Sequence, residues 1–160
     1  MCTGRPAGPI IRTERERLRH GGPRRAALLI VAFYLDTSAL AKLVVAEPET
    51  PALRAWLSEE SKTLVSCDLT RAELTRAVRR VAPDRILAAH ALLDGLTLLT
   101  VPASVFAAAG RLDPDELRSS DAIHLAAALE LGDDLQALVA YDERLQRAAR
   151  LNGIKVVAPA

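Results

Sequence analysis

Aromatic side chains are nearly missing from this sequence. Phe33, Tyr34, Trp56, Phe106 and Tyr141 make up 3% of it, and most fall in or beside strand-like runs, so no exposed platform for stacking bases can be assembled. Histidine and cysteine are equally thin. His20, His90 and His124 are scattered, and Cys2 and Cys67 match no metal-ligand spacing. That argues against a zinc site and a disulfide framework and points to a reducing, cytoplasmic compartment. Any bound metal would have to be held by carboxylates. No apolar run approaches the ~18 residues of a membrane span, so no membrane partner is expected. The net charge is only +1, which excludes a globally basic surface for a polyanion.

What the chain does have is apolar mass. Half of the 160 residues are hydrophobic, enough for one domain with one substantial core and too few for two. The small net charge conceals an asymmetry: residues 1–28 hold seven arginines against Glu14 and Glu16, an excess of five positive charges that leaves the remainder at −4. Gly4, Pro6, Gly8, Pro9, Gly21, Gly22 and Pro23 punctuate this segment, which has no apolar periodicity. Residues 1–28 are therefore expected to be a disordered basic arm and residues 29–160 the folded domain. The arm is either an RNA-binding extension, a solvated tail, or a stretch ahead of a true start at Val31. Arg24-Arg25 followed by an apolar run imitates a secretory signal, but Asp36 interrupts the pattern and the run makes sense as a first strand.

That run, Ala26 to Leu35, ends abruptly at Asp36 and gives way to a helical pattern from Ser38 to Ala46. Thr50-Pro51 opens a helix to about Glu60, Leu64 to Ser66 is a short strand, and Asp68 should cap a helix from Leu69 to Val81. A helix over 84–93, a strand over 96–101 and a helix from Pro102 to about Leu112 follow. Ser119 or Ser120 should cap a helix from Asp121 to Leu131 that Gly132 ends. A strand over 137–141, a helix over 143–151 and a strand over 154–157 complete the chain. Strands alternate with helices throughout, the pattern of a parallel sheet between helical layers.

Carboxylates recur where strands end. Asp36 follows the first strand, Asp142 follows the strand over 137–141, and Asp121 lies in the first turn of a helix that is apolar nearly all round. Capping or the helix dipole would explain any one of them. Asp121 fits that explanation least, because a carboxylate on a buried helix is costly without a compensating charge. Glu73 falls about 80° from the centre of its helix's apolar stripe, at a flank that could reach the sheet rim, or could pair with Arg76 or Arg80 in solvent. Carboxylates brought together repel one another unless a hard cation neutralises them. Mg2+ or Mn2+ takes such oxygen ligands and can engage a phosphate, so the four acids together imply metal-assisted hydrolysis of a phosphodiester.

Four motifs now stand in order: Tyr34-Leu35-Asp36-Thr37-Ser38-Ala39-Leu40, Arg71-Ala72-Glu73-Leu74, Ser120-Asp121-Ala122-Ile123-His124-Leu125-Ala126 and Tyr141-Asp142-Glu143-Arg144-Leu145. Over about residues 31–157 the sequence resembles the PIN-domain nucleases and, among them, the VapC toxins of type II toxin–antitoxin pairs. The resemblance implies a three-layer α/β/α fold with a mainly parallel sheet, and an endoribonuclease toxin using Mg2+ or Mn2+. It implies Asp36, Asp121 and Asp142 as metal ligands, with Glu73 completing the catalytic acids, and Thr37 or Ser38 binding a carboxylate or the metal's waters. The implied partners are an RNA substrate, a small VapB-like antitoxin and a second copy in a homodimer. His124 is expected to support helix packing. Ala140 stands where many relatives carry Thr, a departure that bears on Asp142. The rival from another class is a non-catalytic PIN-like module that binds RNA or a partner, its acids serving as caps. An aspartyl phosphatase would need a second acid where Ser38 stands.

Overall fold

Ala32–Leu35 forms β1, the first strand among the described residues, which are 31–59 and 62–160 of this computed structural model. The basic arm expected at 1–28, and the apolar run before Val31, lie outside them. β1 is the central strand of a five-stranded sheet in the order β3-β2-β1-β4-β5, where β2 is Thr63–Cys67, β3 Thr97–Leu99, β4 Leu135–Val139 and β5 Val156–Val157. Every pairing is parallel. Parallel strands require crossovers, and the crossovers cover both faces of the sheet with helices. The expected three-layer α/β/α architecture is what forms.

The period of two along each strand sorts the core into two layers. Ala32 and Tyr34 of β1, Val65 and Cys67 of β2 and Leu138 of β4 turn to one face, covered by α5 (Ala103–Ala109), α6 (Ser119–Leu129) and α7 (Glu143–Leu151). Phe33, Leu35, Leu64 and Val139 turn to the other, covered by α1 (Thr37–Val44), α2 (Thr50–Ser58), α3 (Leu69–Val81) and α4 (Ile86–Asp94). Large apolar side chains such as Leu40, Leu53 and Leu74 fill the second layer, each contributing about 1.5–3 kcal/mol by burial. In the first layer α6 presents Ala122, Ala126, Ala127 and Ala128. Side chains that small let the helix lie close to the sheet.

Several boundaries differ from the sequence expectation for physical reasons. The helix expected at Ser38–Ala46 begins at Thr37, because Asp36 caps it one residue earlier, and ends at Val44. The strand expected over 137–141 is shifted to Leu135–Val139, since Tyr141 leaves the ladder and its N–H donates to Ser38 Oγ at 2.9 Å. Neither Ser119 nor Ser120 caps α6. Both lie in its first turn, and the cap position is Arg118, which offers no side-chain acceptor. Asp68 does precede α3, but its own backbone is already helical and its carboxylate makes no cap bond, facing Arg71 Nε at 3.8 Å instead. The helix expected over 84–93 is a 3-10 turn, Pro83–Arg85, followed by α4. The strands expected over 96–101 and 154–157 and the helix expected from Pro102 to Leu112 all form, each shorter than anticipated.

The strand order places a topological switch between β1 and β4. From β1 the chain builds outward through β2 to β3, then returns to lay β4 on the opposite side of β1. In open α/β sheets, ligands bind outside the carboxyl ends of the strands at such a point. Asp36 follows one of these two strands and Asp142 lies just beyond the other.

Candidate active site

Asp36 is fixed by its position before any ligand is considered. Its N–H continues the β1–β4 ladder to Val139 O at 3.0 Å, and its side chain caps α1, accepting from Ser38 N at 2.9 Å and Ser38 Oγ at 2.6 Å. Both bonds fall on Oδ2. Ser38 Oγ in turn accepts from Tyr141 N, so one hydroxyl ties the ends of β1 and β4 together beside the carboxylate. The carboxylate is buried at 5% exposure, and Oδ1 lies 3.7 Å from His124 Nε2.

Glu73 sits on α3, whose Leu74 and Val78 pack into the layer opposite to α6. It does not pair with Arg76 or Arg80. Its Oε2 accepts from Thr37 Oγ1 at 2.6 Å and pairs with His124 Nε2 at 2.8 Å. Burial alone would raise its pKa, but the bonds from His124 and Thr37 outweigh that and hold it below the usual carboxylate range. Thr37 and Ser38 thus each bind an acid, one apiece.

Asp142 caps α7, accepting from Arg144 N at 2.9 Å and Leu145 N at 3.1 Å, both on Oδ1, with the Arg144 guanidinium 3.4 Å from Oδ2. Although burial pushes the other way, these donors keep it ionised at lower pH than an ordinary aspartate. Asp121 differs from all three. A 3.4 Å contact from Ser120 Oγ is the only hydrogen bond to its carboxylate among the described residues, and Oδ2 is buried with no partner. Burial and then the negative fields of Asp142 and Asp36 raise its pKa. Leaving a buried acceptor unsatisfied costs about 1–3 kcal/mol.

His124, expected to support helix packing, also stands among the acids. It is 1% exposed, with Nδ1 2.9 Å from Tyr34 Oη and 3.7 Å from Cys67 Sγ, and its Nε2 faces Glu73 and Asp36. Burial by itself would depress the ring's pKa. The bonds to Cys67 and Glu73 and the charge of Asp36 outweigh burial and raise it to about 10. Two periodicities in the sequence could have revealed this: Tyr34 and Asp36 share a strand face at i, i+2, and Asp121 and His124 share a helix face at i, i+3.

Of the four predicted acids, Asp36 and Glu73 meet around His124 and Thr37 beyond the carboxyl end of β1, and Asp121 lies in the fields of Asp142 and Asp36. Among the described residues no three His, Cys, Asp or Glu side chains are arranged as a metal-ligand set, Asp36, Glu73, Asp121 and Asp142 included. Their donors are nonetheless all carboxylate oxygens, which suit a hard divalent cation, and the orphaned Oδ2 of Asp121 is an acceptor in want of one. The residues fit such an ion. A separate groove of about 330 Å³, lined by Phe106, Leu112, Leu117 and Ile123 among others, contains none of the four acids. Among the described residues no helix is long and apolar enough to cross a membrane.

Comparison with known proteins gives three findings. The family model described as PIN domain matches residues 33–151. Ribonuclease VapC46 of Mycobacterium tuberculosis is 45% identical over 130 residues, covering 81% of this chain and 99% of the relative, and Ribonuclease VapC47 of the same species is 43% identical over 130 residues, covering 79% and 96%. Among solved structures, Mycobacterium tuberculosis VapC20, described as a Sarcin-Ricin loop cleaving toxin, superposes with a TM-score of 0.64 at 19% identity over 73% of this chain and 95% of its own. At that identity the superposition speaks for the fold.

Proposed function

Because the chain belongs to the PIN-domain family and, within it, to the VapC ribonucleases, we propose that it is a metal-dependent endoribonuclease toxin whose four acids are the working site. The observation that carries this reading is Asp121. Its carboxylate is partly buried, unpartnered at Oδ2 and crowded by two other carboxylates, an arrangement that costs stability and returns nothing to the fold alone. PIN-domain ribonucleases generally use divalent metal ions. Here Asp36, Asp121 and Asp142 would hold Mg2+ or Mn2+, which when bound supplies Lewis-acid stabilisation of phosphoryl oxygens and activates a water.

The rest of the site prepares for that chemistry with the chain's own groups. Ser38 fixes Asp36 through one oxygen and leaves Oδ1 facing the pocket's other groups. Thr37 and His124 keep Glu73 ionised, as a group that accepts a proton from, or orients, an attacking water must be near neutral pH. RNA would be held through its phosphates and its shape, since aromatic stacking groups are scarce.

The same reading assigns a small VapB-like antitoxin as partner, a homodimer as assembly and the cytoplasm as compartment. VapC toxins are in general paired with VapB antitoxins. Expression from the native locus should copurify a small neighbouring gene product that suppresses both growth arrest and cleavage. The decisive test is cleavage of total RNA by the purified protein with Mg2+ or Mn2+, by Asp36→Asn and Asp121→Asn, and after chelation. Cleavage that survives both substitutions and the chelator would refute the metal-dependent assignment, and RNA binding insensitive to chelator with no cleavage products would favour the binding module.

A further inference from the structure

We propose that His124 and Tyr34 are positioning residues for Glu73, forming a buried chain of hydrogen bonds that fixes the aim of its carboxylate. The inference rests on the nuclease reading and extends it to two residues outside the acidic set.

The starting point is a mismatch between helices. Glu73 belongs to α3, which packs on one face of the sheet, whereas His124 belongs to α6, which packs on the other. Their 2.8 Å contact therefore spans the carboxyl edge of the sheet and joins the two helical layers at the site. Thr37, at the start of α1, adds a second bond to the same oxygen. A glutamate has three side-chain torsions and would otherwise wander; two bonds converging on Oε2 from two helices remove most of that freedom.

The imidazole is itself held from behind. Its Nδ1 meets the hydroxyl of Tyr34, which is fully buried on β1, the most constrained strand of the sheet. The rings cross edge to face with centroids 5.9 Å apart. Any buried imidazole needs a partner on each nitrogen to offset its desolvation cost; what sets this one apart is that one partner is the carboxylate of Glu73, carried by a helix of the opposite layer. Here the cost is accepted along a single line, Tyr34 to His124 to Glu73, that ends at the acids. Tyr34 stands two residues before Asp36 and His124 three after Asp121, so the chain of bonds is built on the same segments that carry two of the proposed metal ligands. Preorganisation of this kind is what lets a reactive group act without first paying for its own alignment.

The test uses the full-length protein and three substitutions. His124→Leu removes the donor, His124→Gln keeps an amide nitrogen able to reach Glu73, and Tyr34→Phe deletes a single oxygen. His124→Leu should lower kcat by about 10–100-fold, the range for losing a group that orients a functional ligand, with KM within about twofold of wild type. His124→Gln should recover most of that loss, and Tyr34→Phe should fall between the two. A purely structural histidine predicts instead that Gln and Leu lose activity equally and in step with thermal stability. That result, or full activity in both His124→Leu and Tyr34→Phe, overturns the proposal while leaving the nuclease reading intact. A second readout needs no turnover: in metal-free protein, Glu73→Gln should shift the imidazole 15N resonance of His124 Nε2, and an unmoved resonance overturns the proposal as well. Wild-type protein that cut no RNA would remove the nuclease reading and this role together.

Discussion

The two faces of the sheet are built to different standards. On one, Leu35, Leu40, Val44, Leu53, Leu74, Val78 and Val139 make a layer of branched aliphatic side chains. On the other, alanines of α6 bring the helix close while Tyr34, Cys67 and His124 run through the layer as a polar seam. The first face is a stability device. The second gives up apolar contact to carry oriented polar groups to the strand ends, and the difference shows where this fold has exchanged packing for chemistry.

The comparison can be broken most severely at Asp121. Asp121→Asn should reduce cleavage by at least about 1,000-fold, the equivalent of several kcal/mol of lost charge stabilisation. The same substitution should raise the melting temperature in chelator, because it removes a crowded carboxylate. Calorimetry beside an RNA cleavage assay would show both, and a lower melting temperature would mean that Asp121 is structural. On the opposite face the expectation is reversed. Leu53→Ala should cost about 2–5 kcal/mol of unfolding free energy while leaving kcat per folded molecule unchanged, as measured by urea denaturation and by single-turnover cleavage.

The polar seam should also be visible in the pH dependence of stability. His124 has its pKa raised from 6.5 to about 10 in the folded state, so its contribution is fully present below pH 6.5 and is lost as pH rises towards 10. Glu73 and Asp142 have lowered values, so their contributions are present above the ordinary carboxylate range and are lost as pH falls through it. Melting temperature should therefore peak between about pH 5 and 6.5 and decline on both sides. His124→Leu should flatten the alkaline decline and, because its bond helps hold Glu73 below the usual carboxylate range, also weaken the acid decline while leaving the part that Asp142 contributes.

The smallest effect is expected at Asp68. It follows β2 as Asp36 follows β1, yet it is exposed and caps nothing. Asp68→Asn should change stability by no more than about 0.5 kcal/mol and cleavage not at all. A large loss there would mean that position after a strand, and not burial within the seam, defines the site.

Much of this was legible in one dimension. The alternation of apolar runs fixed the order of strands and helices, and α3 and α7 occupy the residues expected of them. Asp36 could be recognised because an acid directly after a strand is a local pattern, and Asp142 because an acid ahead of a helix is another. The strand at 96–101 was read too long, since apolar residues that pack beside a sheet look the same in sequence as residues hydrogen-bonded within it. Serine is favoured both at caps and in first turns, and only the backbone angles place Ser119 and Ser120 within α6 rather than before it.

Residue chemistry along the chain decided that strands would alternate with helices, that carboxylates would stand at strand ends and that any metal here would find oxygen ligands. It could not decide which carboxylates would be satisfied. That depended on contacts between residues far apart in the chain: Ser38 reaching Tyr141, Thr37 and His124 converging on Glu73, and Asp121 left without a bond at Oδ2. Hydrogen bonds act over about 3 Å, so the closing of two helical layers over one sheet edge settles which acids are spent on the fold and which remain for a ligand.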